Sequence, residues 1–463
     1  MASNPFHMSI VNIRETGARA DGRTSNTEAI QRAIDECHRA GGGRVVIPGG
    51  GVFVTGTLVL KGGIELHLEN GACLQASHHE EDYEQTAMAG EYGGNVGGFL
   101  LYADGAENIA LTGSGVIDGQ AQVFLDGWWT EDGPYIRKPR AFRPRLIGLF
   151  GCRGIRIRDI TIRDAPQWTC HLTGCEDVVI SGITILNGLD VPNCDGIDPD
   201  HCRNVRISDC HIEAGDDGIV IKATREYRHF GPCENITVTG CSIVSTSAGI
   251  KIGTESVSDI RHIVVTGCVI RRSHRGLAIQ LRDEGNVEAV SFSDCLIETR
   301  QFHPKWWGNA EAVYITAIPR HPDRKVGTVR GISCRGIRFT GENGIFLAGT
   351  EESPLEDIHL DSVSGRIVKT SRFPVDFHDM RPSQSEEHGG LDRGKLSGIT
   401  ARHVDGLVIH NCAVSFPVKG LSHWSHALSA EKVRSLTLSG FRGESPLGGE
   451  GEAIRLHEVS ETA

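Results

Sequence analysis

Several features common in other protein classes are missing from this chain, and each absence narrows the reading. No apolar run approaches the roughly 18 residues of a membrane-spanning helix, so no membrane partner is expected. Basic residues are outnumbered, 47 Lys and Arg against 59 Asp and Glu, for a formal net charge of −12. That balance argues against a nucleic-acid partner, and any anionic ligand would need a local basic pocket. No CxxC or H-x-x-E-H spacing occurs, so neither a metal nor another cofactor is expected. Aromatics are only 6% of the residues, whereas glycine is plentiful at 58 of 463. Such a composition suits many short strands and tight turns better than packed helices. The opening MASNPFHMSIVN lacks the basic flank and apolar core of a secretory leader, so cytoplasmic placement is expected.

What the chain does have is a repeat. The phrase N-[VI]-x-[VI]-x-x-C-x-[VI] recurs as NVRISDCHI and NITVTGCSI, with HIVVTGCVI differing at its first residue. Its apolar anchors fall at Ile155, Val178, Val205, Ile236, Ile263 and Val290, and weaker copies follow at Ile332, Ile358, Leu407 and Leu436. Five anchors are each followed five residues later by a cysteine: Cys210, Cys241, Cys268, Cys295 and Cys412. A residue recurring at one point of a repeat stacks in a ladder, so these cysteines read as small buried hydrophobes rather than disulfides. Reduced thiols fit a reducing compartment. Short β-branched runs at this spacing, separated by Gly, Asn and Asp, predict an all-β fold, a right-handed parallel β-helix. A propeller would need longer blades, and a leucine-rich repeat would show leucines at fixed offsets. Residues 1–463 read as one such domain, with 1–13 as a tail. A helix over 26–39 (NTEAIQRAIDECHR) would cap the first coil, stopped by Gly41-Gly42-Gly43. Residues 370–398 read as a long side loop.

Functional chemistry concentrates in NCDGIDPDHCRNVRISDCHIEAGDDGIVIK, residues 193–222. Asp195 precedes the Asp216-Asp217 pair by about one coil of the repeat, and neighbouring coils lie about 4.8 Å apart. Carboxylates at that range raise one another's pKa. The bland alternative is that these aspartates close turns by accepting backbone N–H groups. Turns, however, do not need an adjacent pair plus a third residue one coil away.

Together with TGARADGRTSNTEAIQRAIDECHRAGGGRVVIPGG near the start, GSGVIDGQ (113–120) and DAPQWTCHLTGC (164–175), this segment resembles glycoside hydrolase family 28. These are the polygalacturonases and related pectin-degrading β-helix enzymes. The resemblance runs over about residues 14–320 and implies inverting hydrolysis of an α-glycosidic bond in an oligosaccharide. By motif, Asp216 would be the general acid, while Asp195 and Asp217 would hold and activate the water. Asn193 would contact the sugar or orient Asp195, and Asp198 is expected to stabilise a turn or support the site.

Two departures concern the substrate. Where the family usually has Gly-His-Gly, this chain has Ser-Ala-Gly, with Ala248 at the histidine position and Lys251 nearby. Where the family has Arg-Ile-Lys, RGLAIQLRDEG puts Ala278 and Gln280. Arg282 and Lys251, with Lys222, are the cations expected to replace the lost charge; a neutral sugar is the alternative. The reading leans toward an exo-acting enzyme on galacturonate-containing fragments. Trp307, beside Trp306, is a candidate sugar-stacking wall or simply a loop filler. Trp128-Trp129 has the same ambiguity, and His171 either faces the cleft or is a satisfied wall histidine. A uronate lyase or epimerase and a non-catalytic carbohydrate-binding β-helix are the competing classes.

Overall fold

The structure is a computed structural model that describes residues 9–84, 98–130, 133, 135–383, 390–418, 423–447 and 451–461. Residues 1–8 of the expected tail and 384–389 of the expected side loop lie outside the described residues. The chain divides into two compact units, Met1–Gly215 and Asp216–Ala463. Each is a stack of parallel coils, and the fold is the right-handed parallel β-helix.

The first unit opens with strands Ser9–Asn12 and Asp21–Ser25. Ser9–Asn12 lies in the expected tail but pairs in parallel with Gly43–Ile47, so residues 9–12 belong to the sheet. Helix α1, Thr27–Arg39, buries Ala29, Ile30, Ala33, Ile34 and Cys37 against the first strands. Asn26 stands at its N-cap position but does not cap it. Its Oδ1 instead accepts from the Arg19 N–H at 2.6 Å, tying the helix start to the preceding turn. The stop falls where expected: the Gly42 N–H donates to the Cys37 carbonyl, and Gly41 and Gly42 have φ of +95° and +105°. Glycine reaches that region without a Cβ penalty.

Regular coils follow, with three strands each. Arg145–Phe150, Arg153–Arg158 and Thr161–Arg163 form one; Cys170–Thr173, Glu176–Ser181 and Thr184–Leu186 form the next; Ile197–Asp200, Arg203–Ser208 and His211–Ala214 form a third. The repeat anchors are in register: Ile155 pairs with Val178 and Val178 with Val205. The second unit has a column of its own: Ile236, Ile263, Val290, Ile332, Ile358, Leu407, Leu436. All of these are buried.

The repeat phrase has a conformational cause. The residue before the anchor is left-handed at Asp177, Asn204, Asn235, His262, Ala289 and Asp357, with φ between 54° and 59°. A second left-handed corner precedes the ladder cysteine, at Asp209, Gly240, Gly267, Asp294 and Asn411. Asn, Asp and Gly tolerate that region best, and so they punctuate every coil. All fourteen cysteines are thiols outside any disulfide, and thirteen are buried. The hydrogen bond with Cys241, and then burial, pushes the Cys268 thiol up to about 12, and burial does the same at Cys334. Such thiols are inert at neutral pH. No helix among the described residues is long and apolar enough to cross a membrane.

Candidate active site

In the first unit the N-x-D segment is a loop between Thr184–Leu186 and Ile197–Asp200. It is held from both sides. The buried Asn187 amide donates to the Thr169 hydroxyl and the Cys194 carbonyl, and its oxygen accepts from the Ala165 N–H. Arg143 donates to the Pro166 and Pro192 carbonyls and, at 2.7 Å, to Oδ1 of Asn193. Asn193 is thus oriented by a guanidinium and sits at φ 56°. Ala121, Leu125, Val191 and Cys194 form an apolar floor under the loop. Gly215 closes against it: a Cβ there would lie 2.4 Å from the Val191 carbonyl and 2.6 Å from that of Gly188. Only glycine fits, and Asp216 is the next residue.

Asp195 is buried at 3% exposure, and its backbone carbonyl accepts from Thr169. Asp198 is fully buried, with its strand paired so that His171 lies beside it. His171 itself is walled in. Arg145 Nη1 is 3.0 Å from its Nδ1, the Thr173 hydroxyl is 3.0 Å from Nε2, and Trp168 packs edge-on at 4.7 Å.

In the second unit Asp216 and Asp217 lead into Ile219–Ala223, which pairs in parallel with Ala248–Ser256 and sets Val220 beside Lys251. Asp217, 2% exposed, has both oxygens engaged. Oδ1 accepts from the Ser247 hydroxyl at 2.8 Å and the Ala248 N–H at 3.0 Å. Oδ2 is 2.5 Å from the Lys251 ammonium. Burial favours the neutral acid here, but the charge and hydrogen bond of Lys251, the charge of Lys222 and the Ser247 bond outweigh it. The carboxyl is held below the usual range, and Asp217 is an anion at neutral pH. Lys222 lies 3.8 Å from Glu255. The backbone carbonyl of Asp216 accepts from the Ser245 hydroxyl at 2.5 Å.

The other expected cations have different surroundings. Arg282 is 1% exposed and donates to the Leu281 carbonyl, the Thr316 hydroxyl, the Tyr314 hydroxyl and the Met380 carbonyl. The Gln280 amide donates to the Arg381 carbonyl at 2.5 Å. Both side chains therefore face a piece of their own chain. That piece belongs to the expected side loop, whose strands His378–Asp379 and Leu391–Asp392 pair antiparallel. Trp307 remains 38% exposed, with the Arg381 guanidinium 5.4 Å above its ring.

Sequence reasoning missed Arg143, Ser247, Arg275, Tyr314 and Asp379. Arg275 pairs with Glu311 at 3.0 Å, donates to the Asp379 carbonyl and lies 3.8 Å over the Tyr314 ring. No local pattern could join residues 275 and 379, since their meeting depends on where the side loop lands. Ser247 was closer to legible, because it occupies the first position of the altered Gly-His-Gly.

Parallel coils whose motif loops carry buried aspartates define a β-helix of the carbohydrate-active class. The chain belongs to glycosyl hydrolases family 28, whose family model matches residues 37–364. It is 31% identical over 268 residues to a probable polygalacturonase of Vitis vinifera, covering 53% of this chain and 52% of that protein. It is 29% identical over 252 residues to an exo-poly-α-D-galacturonosidase of Dickeya chrysanthemi, covering 45% and 41%. The chain spans about half the length of the curated relatives it matches. Among solved structures it is similar to a hyperthermoactive exopolygalacturonase from Thermotoga maritima. That likeness has a TM-score of 0.68 at 27% identity, over 78% of this chain and 88% of the other.

Proposed function

We propose that this protein is an inverting glycoside hydrolase that removes units from the end of galacturonate-containing oligosaccharides. The observation that carries the reading is the state of Asp217. It is a buried carboxylate kept anionic by Lys251, directly after Asp216 in the family's G-D-D motif. Asp216 would protonate the glycosidic oxygen as that bond breaks. Asp217 with Asp195 would take a proton from the water that attacks the anomeric carbon from the opposite face. Asn193, held by Arg143, would orient the sugar or Asp195. Relatives named for exo action and for polygalacturonan support the substrate class.

A second reading, a neutral-sugar oligosaccharide, is favoured by one feature of strand Arg275–Leu281. The positions of the family's cation pair hold Ala278 and Gln280, and Gln280 is bound to Arg381. Product analysis on galacturonate oligomers, rhamnogalacturonan fragments and neutral oligosaccharides separates the two. Release of monomeric galacturonate, first as the inverted anomer by proton NMR, is the expected result. An unsaturated chromophore would indicate a lyase instead, and cleavage of neutral substrates alone would establish the second reading.

A further inference from the structure

Lys251 was expected to meet a substrate carboxylate, yet its ammonium lies on a carboxylate of its own protein. It enters the site from the middle of Ala248–Ser256, with Val220 beside it on one strand and Ala278 on the other. Neither neighbour carries a charge, and the small Ala278 leaves room for the long side chain. Its side chain is 12% exposed, whereas that of Asp217 is 3% exposed, so the cation is the less buried member of the pair. The other Asp217 oxygen is fixed by Ser247 and by the backbone of Ala248, the residue in the histidine position.

Resting on the hydrolase reading, we propose that Lys251 is a positioning residue that fixes the orientation and charge of Asp217 rather than a binder of the substrate carboxylate. The geometry accounts for the altered Ser-Ala-Gly: once alanine stands at 248, a strand position three residues on supplies the polar partner. The other charged groups near Asp217 in this unit are Lys222 from Ile219–Ala223, itself near Glu255, and Asp216, its neighbour in sequence. Lys222 acts on Asp217 through space, without the hydrogen bond that Lys251 makes. Lys251 is therefore the cation whose removal should matter most.

The sign follows from the pairing. An ammonium favours the carboxylate, so removing it raises the pKa of Asp217. A base that protonates more readily is lost at higher pH, and the acidic limb of kcat moves up. Lys251→Met should lower kcat roughly 10- to 100-fold, with a limb shift of about one pH unit, on galacturonate oligomers and on their methyl esters alike. Lys251→Arg should restore the limb. A rise in KM confined to the free acid, with kcat and its pH profile unchanged, would overturn the proposal and return Lys251 to the substrate carboxylate. Lower thermal stability with an unmoved limb would also overturn it. Carboxyl carbon NMR of labelled aspartates reads the Asp217 titration without substrate, so it keeps the question separate from the hydrolase reading. An upward shift in Lys251→Met is expected there even if no tested glycoside is cleaved, and an unchanged titration would sink the pairing.

Discussion

Two charged regions of the second unit, both buried on the same sheet, have been completed in opposite ways. Asp217 accepts from a hydroxyl, a backbone N–H and an ammonium whose side chain is partly exposed, with the charge of Lys222 also acting on it. Around Arg275 the parts are more numerous and closed off. Glu311 takes the guanidinium, Tyr314 lies under it, and Asp379, Met380 and Arg381 of the side loop cover it and Arg282. Asp379 in turn is held by Arg381 and by the Gly308 N–H. The first region leaves its cation partly exposed; the second uses charge to fasten a loop. Buried ions are tolerated in both because each has a partner. The difference is whether every partner comes from the chain's own fold.

That contrast can be broken at several points. The largest effect should come from Asp216→Asn, which on the proposed mechanism lowers turnover roughly 1,000-fold, as expected for losing a general acid. Substrate binding should persist and the thermal midpoint should barely move. Wild-type-like hydrolysis in this variant would remove Asp216 from the chemistry.

Arg275→Ala should do the reverse in kind. It strands Glu311 and part of the Asp379 segment, and about 3–5 kcal/mol of stability should be lost in urea unfolding. A normal midpoint with an altered pH profile would show that this region belongs to the reaction after all.

Asp379 adds a pH dependence. Burial opposes its ionisation, but Arg381, Arg275 and the Gly308 N–H prevail, and the carboxyl is held below its usual value. A depressed carboxyl contributes stability above the unfolded value, about 3.9. That contribution disappears as pH falls through the folded value. The gap in thermal midpoint between wild type and Asp379→Asn should therefore be full at pH 6 and narrow below about pH 4. A gap independent of pH would mean that packing, not charge, is what asparagine disturbs.

The smallest effect is expected from Gln280→Ala. It loses the hydrogen bond to the Arg381 carbonyl and a long one, 3.5 Å, from Arg275 Nη1, together worth about 1–2 kcal/mol, read as a small drop in the midpoint. A change in substrate preference instead would place Gln280 in the cleft.

Much of the fold was legible because a β-helix is a local rule repeated. The anchors Val205 or Ile263 need only the next coil's anchor above and below, and left-handed corners favour Asn, Asp or Gly at fixed offsets. Helix α1 announced itself through Ile30, Ala33, Ile34 and Cys37 at helical spacing, although Asn26 turned out to serve the preceding turn. The aspartates were legible as a motif for the same reason, since the coil period places them. The substrate-reading residues were not. Lys251 and Arg282 both looked like free cations in the one-dimensional chain, and alternation alone could only say that each lies on a strand.

By itself, then, the sequence determined the coil and its register, because both follow from period and backbone conformation. Only the tertiary structure decided what each cation does. An ion pair is set by distance across the fold: Lys251 found Asp217 one strand away, and the side loop brought Asp379 to Arg275 and Met380 to Arg282. Charges that the chain order leaves anonymous acquire a function from the partner that folding brings to them.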